Sequence, residues 1–281
     1  MLVLKGRFDV LHSAIPFFVG VPLLTCLTIP LTIGVNQLRP IKTYCSRRQL
    51  WWQTIILLLI VLFVTYRSMV FYFPNAMHIP GLYPLARWTI YFLGSAQIPP
   101  GHLLSAPKPP EQLIAIPALF VLLPLSLLCL LGARERELGL GYGHHAWRVA
   151  GLWSAIPLLG LIAVTMIGTV ASLLMFVQHV GQAILQSGFF EEFLFRGALM
   201  TRLRYLLHSD WSIVLSSLLF ALFSVGVRTN QFGSDWVVGV AAAMVTQATL
   251  SLGMATIFLR TRNLLAASIF HTLYELFIDF T

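Results

Sequence analysis

The chain alternates long apolar runs with short polar breaks. The runs fall at about 14–35, 51–73, 112–133, 148–178, 182–203, 211–227, 235–259 and 263–281. A bilayer core takes about 20 apolar residues per spanning helix, so these runs predict about eight passes and leave no room for a soluble domain. A further segment, 83–98, is shorter and carries Arg87, and it is read as non-spanning. The fold class expected is all-α: a polytopic transmembrane helix bundle, integral to the membrane and solvated by lipid.

The runs also divide the chain. All 15 prolines lie at or before Pro157. Residues 1–147 therefore read as N-terminal transmembrane helices with a long connection at 74–111, and 148–281 as a core of uninterrupted helices. The stretch PKPPEQ at 107–112 reads as a rigid surface connection. Ser209-Asp210 and Ser234-Asp235 stand just before apolar runs and offer N-cap oxygens to free backbone N–H groups.

Composition agrees with lipid as the solvent, since 58% of the residues are hydrophobic and only 10% are charged. The net charge of +8 does not indicate nucleic acid, because the Lys and Arg residues lie in short loops rather than on one basic face. Topology explains them better. With 83–98 outside the count of spans, Arg39, Lys42, Arg47, Arg48, Arg134, Arg136, Arg148, Arg202, Arg204, Arg260 and Arg262 all fall on one side, 11 of the 18 basic residues. That side is expected to be cytoplasmic and both termini to lie opposite. The N-terminal MLVLKGRFDVLHS reads as the approach to a first span rather than as a secretory signal. Cys26, Cys45 and Cys129 form no CxxC pair and suggest neither a disulfide framework nor a zinc site. Trp51, Trp52, Trp153, Trp211 and Trp236 stand near run ends, as interfacial anchors do.

Ionisable groups inside hydrocarbon carry the candidate chemistry, because a charge at a helix centre costs at least about 2.5–3.5 kcal/mol. The densest group is Phe189-Phe190-Glu191-Glu192-Phe193-Leu194-Phe195-Arg196-Gly197. Glu192 and Arg196 form an i, i+4 pair in the favourable order. Glu191 points about 100° away and lacks such a partner, so it must face water, a metal, a cation from another helix, or carry a proton. An unpaired buried carboxylate is the natural general base. His271 and Glu275 share a face of the last run, where they can orient an imidazole, bind a cation, or satisfy one another. His144, His145, His179 and His208 fall at helix ends or in loops and need no functional explanation.

With these residues in view, 148–281 resembles the CPBP family of intramembrane proteases, which includes the CAAX-prenyl endopeptidases of the Rce1 type and bacteriocin-processing homologues. EEFLFRGALMTRL at 191–203 fits the family's EExxxR motif. SSLLFALFS at 216–224 stands where the family has FxxxH, and RTRNLLAASIFHTLYE at 260–275 where it has HxxxN or HxxxD. The resemblance implies an endopeptidase in which Glu191 activates water, Glu192 and Arg196 support it, and His271 stabilises the oxyanion or acts as a ligand. Its substrate would be a transmembrane or prenylated protein. Two positions depart from the motifs: Ser224 replaces the second-motif histidine, and Glu275 replaces the third-motif Asn or Asp.

Other readings stay open at the level of sequence. Loss of the histidine fits a non-catalytic member that binds or assembles with other membrane proteins. Glu191, Glu192, His271 and Glu275 are also a plausible oxygen-plus-imidazole set for a divalent metal, which the reading allows but does not require. A proton-coupled transporter is disfavoured, because the hydropathy shows no inverted halves.

Overall fold

The computed structural model describes residues 8–33, 43–73, 75, 77–93, 117–141, 143, 145–166, 180–181, 183–184 and 188–280. Arg39, Lys42, His144, His179 and the PKPPEQ stretch at 107–112 lie outside the described residues. Those described are helical, with no strand among them.

We number the helices α1 (Phe8–Leu31), α2 (Arg47–Tyr72), α3 (Leu82–Leu93), α4 (Ala118–Leu130), α5 (Ala146–Met166), α6 (190–206), α7 (Ser209–Phe223), α8 (Val225–Gln231), α9 (Trp236–Thr261) and α10 (Leu264–Phe280). The apolar pattern locates the helices well. Among the described residues, three helices are long and apolar enough to cross a bilayer: Arg47–Tyr72, Ala146–Ala163 and Trp236–Thr261. The pair α7 and α8, bent by 45°, adds a fourth if it is one broken span rather than a re-entrant loop. Phe17–Leu31, Ala118–Leu130 and Leu264–Ile278 are shorter apolar stretches, and α6 carries Glu191, Glu192, Arg196, Arg202 and Arg204 along its length.

Outward positions confirm which solvent the bundle meets. Val19 is 62% exposed, Leu59 61%, Leu130 82% and Leu159 65%, so large apolar side chains cover the surface of four different helices. Among the described residues the main packed cluster takes Leu57, Val61 and Val64 from α2, Trp153 from α5, Phe193 and Leu199 from α6, Phe220 and Phe223 from α7, and Met254 from α9, with smaller clusters around Val238 and Ala242 and around Leu161, Ala183 and Leu276.

Trp153 is a correction to the anchor reading. It is fully buried, its Nε1 donates to Thr28 Oγ1 at 2.8 Å, and its ring fills the space beside Gly253, where a Cβ would meet the ring at 2.8 Å. An indole inside the bundle needs a hydroxyl and a small neighbour, and both are supplied. Trp51, Trp52 and Trp211 are exposed.

The C-terminal helices are not uninterrupted, despite their lack of proline. The chain bends by 45° between α7 and α8. Ser224 sits at that bend, and its Oγ donates back to the Phe220 carbonyl at 3.2 Å, a local bond that competes with the helix ladder. Gly226 lets α8 approach α2, where an added Cβ would lie 3.2 Å from Ser68 Oγ. Phe193–Met200 in α6 and Ala243–Gln247 in α9 are wound as π-helix.

Caps follow the expectation at one start and not at the other. Asp235 caps α9, its Oδ1 accepting from the Val237 and Val238 amides at 3.0 and 3.1 Å. Ser209 instead forms the first residue of α7, with His208 at the cap position making no side-chain cap bond. Asp210 is turned toward His208, 3.4 Å away, rather than onto the helix start.

One end of the bundle collects the basic residues. Arg202 Nη1 meets Glu137 Oε2 at 2.7 Å, and Thr43 Oγ1 donates to the same oxygen at 3.4 Å. The Arg134 guanidinium lies 3.9 Å from the Tyr44 ring centre, and Arg260 reaches Thr32 Oγ1 at 3.4 Å. The opposite end is closed by aromatic contact, with the Phe73 and Trp236 rings 4.6 Å apart.

Candidate functional site

Three helices bring the predicted residues together. α6 supplies Glu191, Glu192 and Arg196, α10 supplies His271 and Glu275, and α7 places the Phe220 ring between them. Glycines make the approach close enough. A Cβ on Gly197 would stand 2.7 Å from the Leu138 carbonyl oxygen and 2.9 Å from Leu264, at the start of α10. A Cβ on Gly188, just before α6, would collide with the Thr272 side chain, the neighbour of His271. The small residue that follows the arginine in the sequence pattern thus has a steric reason.

Glu192 and Arg196 are both fully buried and paired at 3.1 Å, as their spacing predicts. Arg196 is held further by Ser251 Oγ on α9, at 2.7 Å from Nη2, and its guanidinium lies 4.4 Å from the Phe220 ring centre. Neither contact was foreseen from sequence, since both cross between helices. A polar serine inside the 235–259 run was the available signal for the first.

His271 is 1% exposed and joins the two clusters. Its Nδ1 lies 2.9 Å from Glu192 Oε1. An ionised carboxylate only accepts, so Nδ1 is the donor and Nε2 faces the other way. There it stands 4.0 Å from Glu191 Oε2 and 3.6 Å from Glu275 Oε1. The open question about Glu191 is answered by a histidine from another helix. Glu191 is 6% exposed and touches that ring at a distance too long for a direct hydrogen bond. Glu275 is the most open of the three carboxylates, with 31% of its side chain exposed.

Ser224 belongs to the bend between α7 and α8. It is buried, and its hydroxyl is committed to the Phe220 carbonyl. The tentative metal set is not assembled. Among the described residues, no group of three His, Cys, Asp or Glu side chains has the arrangement of a metal site. Glu192 is turned onto Arg196 and Nδ1 of His271, whereas Nε2 of His271 faces Glu191 and Glu275.

In chemical terms the site is a row: Arg196, Glu192, His271, then Glu191 and Glu275 around Nε2. The first three fix the imidazole in one orientation. The last two set a carboxylate oxygen 4.0 Å from a ring nitrogen, close enough for one water at the side of the pair to contact both.

Residues 171–277 match the family model described as Type II CAAX prenyl endopeptidase Rce1-like, a match that includes every residue of the row. No curated protein and no solved structure matches the chain.

Proposed function

We propose that this integral membrane protein, whose residues 171–277 form an Rce1-like domain of the CPBP family, is an intramembrane endopeptidase acting on membrane-embedded, prenylated protein substrates. The observation that carries the reading is the 4.0 Å separation of Glu191 Oε2 from His271 Nε2 while Nδ1 is fixed on Glu192.

In this reading Glu191 takes a proton from a water lying between it and Nε2. The water oxygen bonds to the scissile carbonyl carbon, and the carbonyl electrons move onto oxygen. His271 carries a proton on each ring nitrogen in this step: Nδ1–H stays on Glu192 and Nε2–H donates to the oxyanion. The carbon–nitrogen bond then breaks as the proton held by Glu191 passes to the leaving nitrogen, giving a free carboxyl and a free amine. Glu192 and Arg196 touch neither water nor substrate; they hold the imidazole. No step needs a metal.

The test is cleavage of a farnesylated peptide ending in a CAAX sequence, with a fluorophore and a quencher on either side of the scissile bond, by protein reconstituted in liposomes. Glu191→Ala should abolish turnover, and His271→Ala should lower it by about 10²-fold or more, the usual contribution of a positioned proton-transfer group. Turnover unchanged in Glu191→Ala would overturn the reading.

Ser224 favours one second reading. With its hydroxyl bound to Phe220, the position supplies no second imidazole. A non-catalytic member would use the same cavity to hold a membrane protein partner. Wild-type protein inactive on the peptide, together with a membrane protein retained through purification by wild type and Glu191→Ala alike, would support it.

A further inference from the structure

Three arginines are buried among the described residues, and two of them have a carboxylate. Arg196 meets Glu192 at 3.1 Å, and Arg202 meets Glu137 at 2.7 Å. Each of these has N–H groups to spare, but its charge is matched. Arg67, in the last third of α2, is different. It is 1% exposed, no described carboxylate pairs with it, and its Nε and Nη2 make no hydrogen bond. A charge enclosed in an apolar bundle is costly unless paired, so this guanidinium calls for an anion that the described bundle does not supply.

The free donors specify the shape of that anion. Nε and Nη2 stand on one edge of the planar guanidinium with their N–H bonds side by side, and such an edge matches the two oxygens of a single carboxylate. The position of α2 specifies the source. The residue after Arg67, Ser68, lies against α8, where a Cβ on Gly226 would stand 3.2 Å from Ser68 Oγ. Gly226 is two residues past Ser224, whose hydroxyl is bonded to the Phe220 carbonyl, and the Phe220 ring centre is 5.9 Å from that of His271. The helix that carries Arg67 is thus packed on the bend beside the row. A peptide cut near its end has a free carboxylate a few residues past the scissile bond, and three extended residues reach about 10 Å. A lipid phosphodiester, substituted on both sides, suits a guanidinium this enclosed less well than the bare end of a chain.

We infer that Arg67 is a specificity-determining residue that binds the C-terminal carboxylate of the substrate and so sets the cut at a fixed distance from the chain end. The inference rests on the endopeptidase reading for the identity of the peptide.

Two farnesylated CAAX peptides, one ending in the free acid and the other in the amide, test it in phosphatidylcholine liposomes. Wild type should prefer the acid by about 10-fold or more in kcat/KM, the worth of hydrogen bonds to a charged group. Arg67→Gln should abolish the preference, and Arg67→Lys should keep part of it, because an ammonium has the charge without the fork. A preference that survives in Arg67→Gln, or none in wild type, would overturn the inference. Folding gives a second readout. Without peptide, Arg67→Gln removes an unpaired buried charge and should match or exceed the Tm of wild type. A much lower Tm, or failure to accumulate, would mean that the fold itself supplies a counterion, and the inference would fall. If wild type cleaves neither peptide, the endopeptidase reading fails and the site is judged by binding. The acid raising Tm more than the amide in wild type, but not in Arg67→Gln, then supports it, and equal shifts overturn it. A Tm rise that depends on Arg67 and comes from phosphatidylglycerol instead would give the site to a lipid headgroup and overturn the peptide assignment.

Discussion

Glu192 and Arg196 show what a charge inside an apolar bundle requires. Each is fully buried, and between them they have a salt bridge, a serine hydroxyl, an imidazole and an aromatic face. Removing one partner leaves the other buried and uncompensated, which costs about 3–5 kcal/mol. Arg196→Ala should therefore lower the Tm of detergent-solubilised protein strongly and remove activity, while Ser251→Ala should cost less, about 1.5–3 kcal/mol for one lost hydrogen bond to a charged group. Equal Tm values for the two variants would contradict this ranking. Much of this level was legible in the sequence: the i, i+4 spacing gave the ion pair, and the isolation of Glu191 on its own helix marked it as the group needing an outside partner. The identity of that partner was not legible, because His271 is 80 positions away and only packing decides which helices meet. Trp153 misled for a related reason. A tryptophan near the end of an apolar run has the same pattern whether it faces headgroups or a buried threonine.

Helix positions could be read from the apolar pattern, but helix shape could not. No proline marks the bend at Ser224 or the π-wound segments in α6 and α9, and hydrophobic periodicity is too coarse to register one extra residue in a turn. The causes are local side-chain bonding and close contact. Glycine is where contact can be tested. Gly197→Ala would push a methyl group into the Leu138 carbonyl and Leu264, and it should destabilise by about 1–3 kcal/mol, as overpacking does. Gly151→Ala is the control. It sits within α5 with nothing in the way of a Cβ, so the same substitution should be neutral or stabilising by about 0.4–1 kcal/mol. Matching losses of Tm in the two variants would argue that helix propensity, not contact, sets the cost.

Over the whole molecule, the distribution of charge was the best guide. The structure gathers Arg134, Arg202 and Arg260 with their partners at one end, as the loop count anticipates. α7 and α8 together run from that end to the other, between exposed His208 and exposed Asn230. In oriented vesicles, a membrane-impermeant maleimide should label His208→Cys and Asn230→Cys from opposite faces, and labelling from the same face would refute the crossing. The number of crossings was less accessible, since composition marks a segment as apolar without fixing how much of it continues as one helix.

The contact at the basic end has a consequence for how the protein can be divided. Arg202 is fully buried, and its carboxylate, Glu137, belongs to the part of the chain before residue 148, as does Thr43, which shares the same oxygen. A fragment beginning at 148 would keep every member of the buried row from Arg196 to Glu275, yet it would leave this guanidinium without its counterion in a nonpolar setting. The region that matches the family model is therefore not a transplantable module. Expressed alone it should fail to accumulate, and co-expression with 1–147 as a separate polypeptide should restore it, the two pieces reassembling around one ion pair.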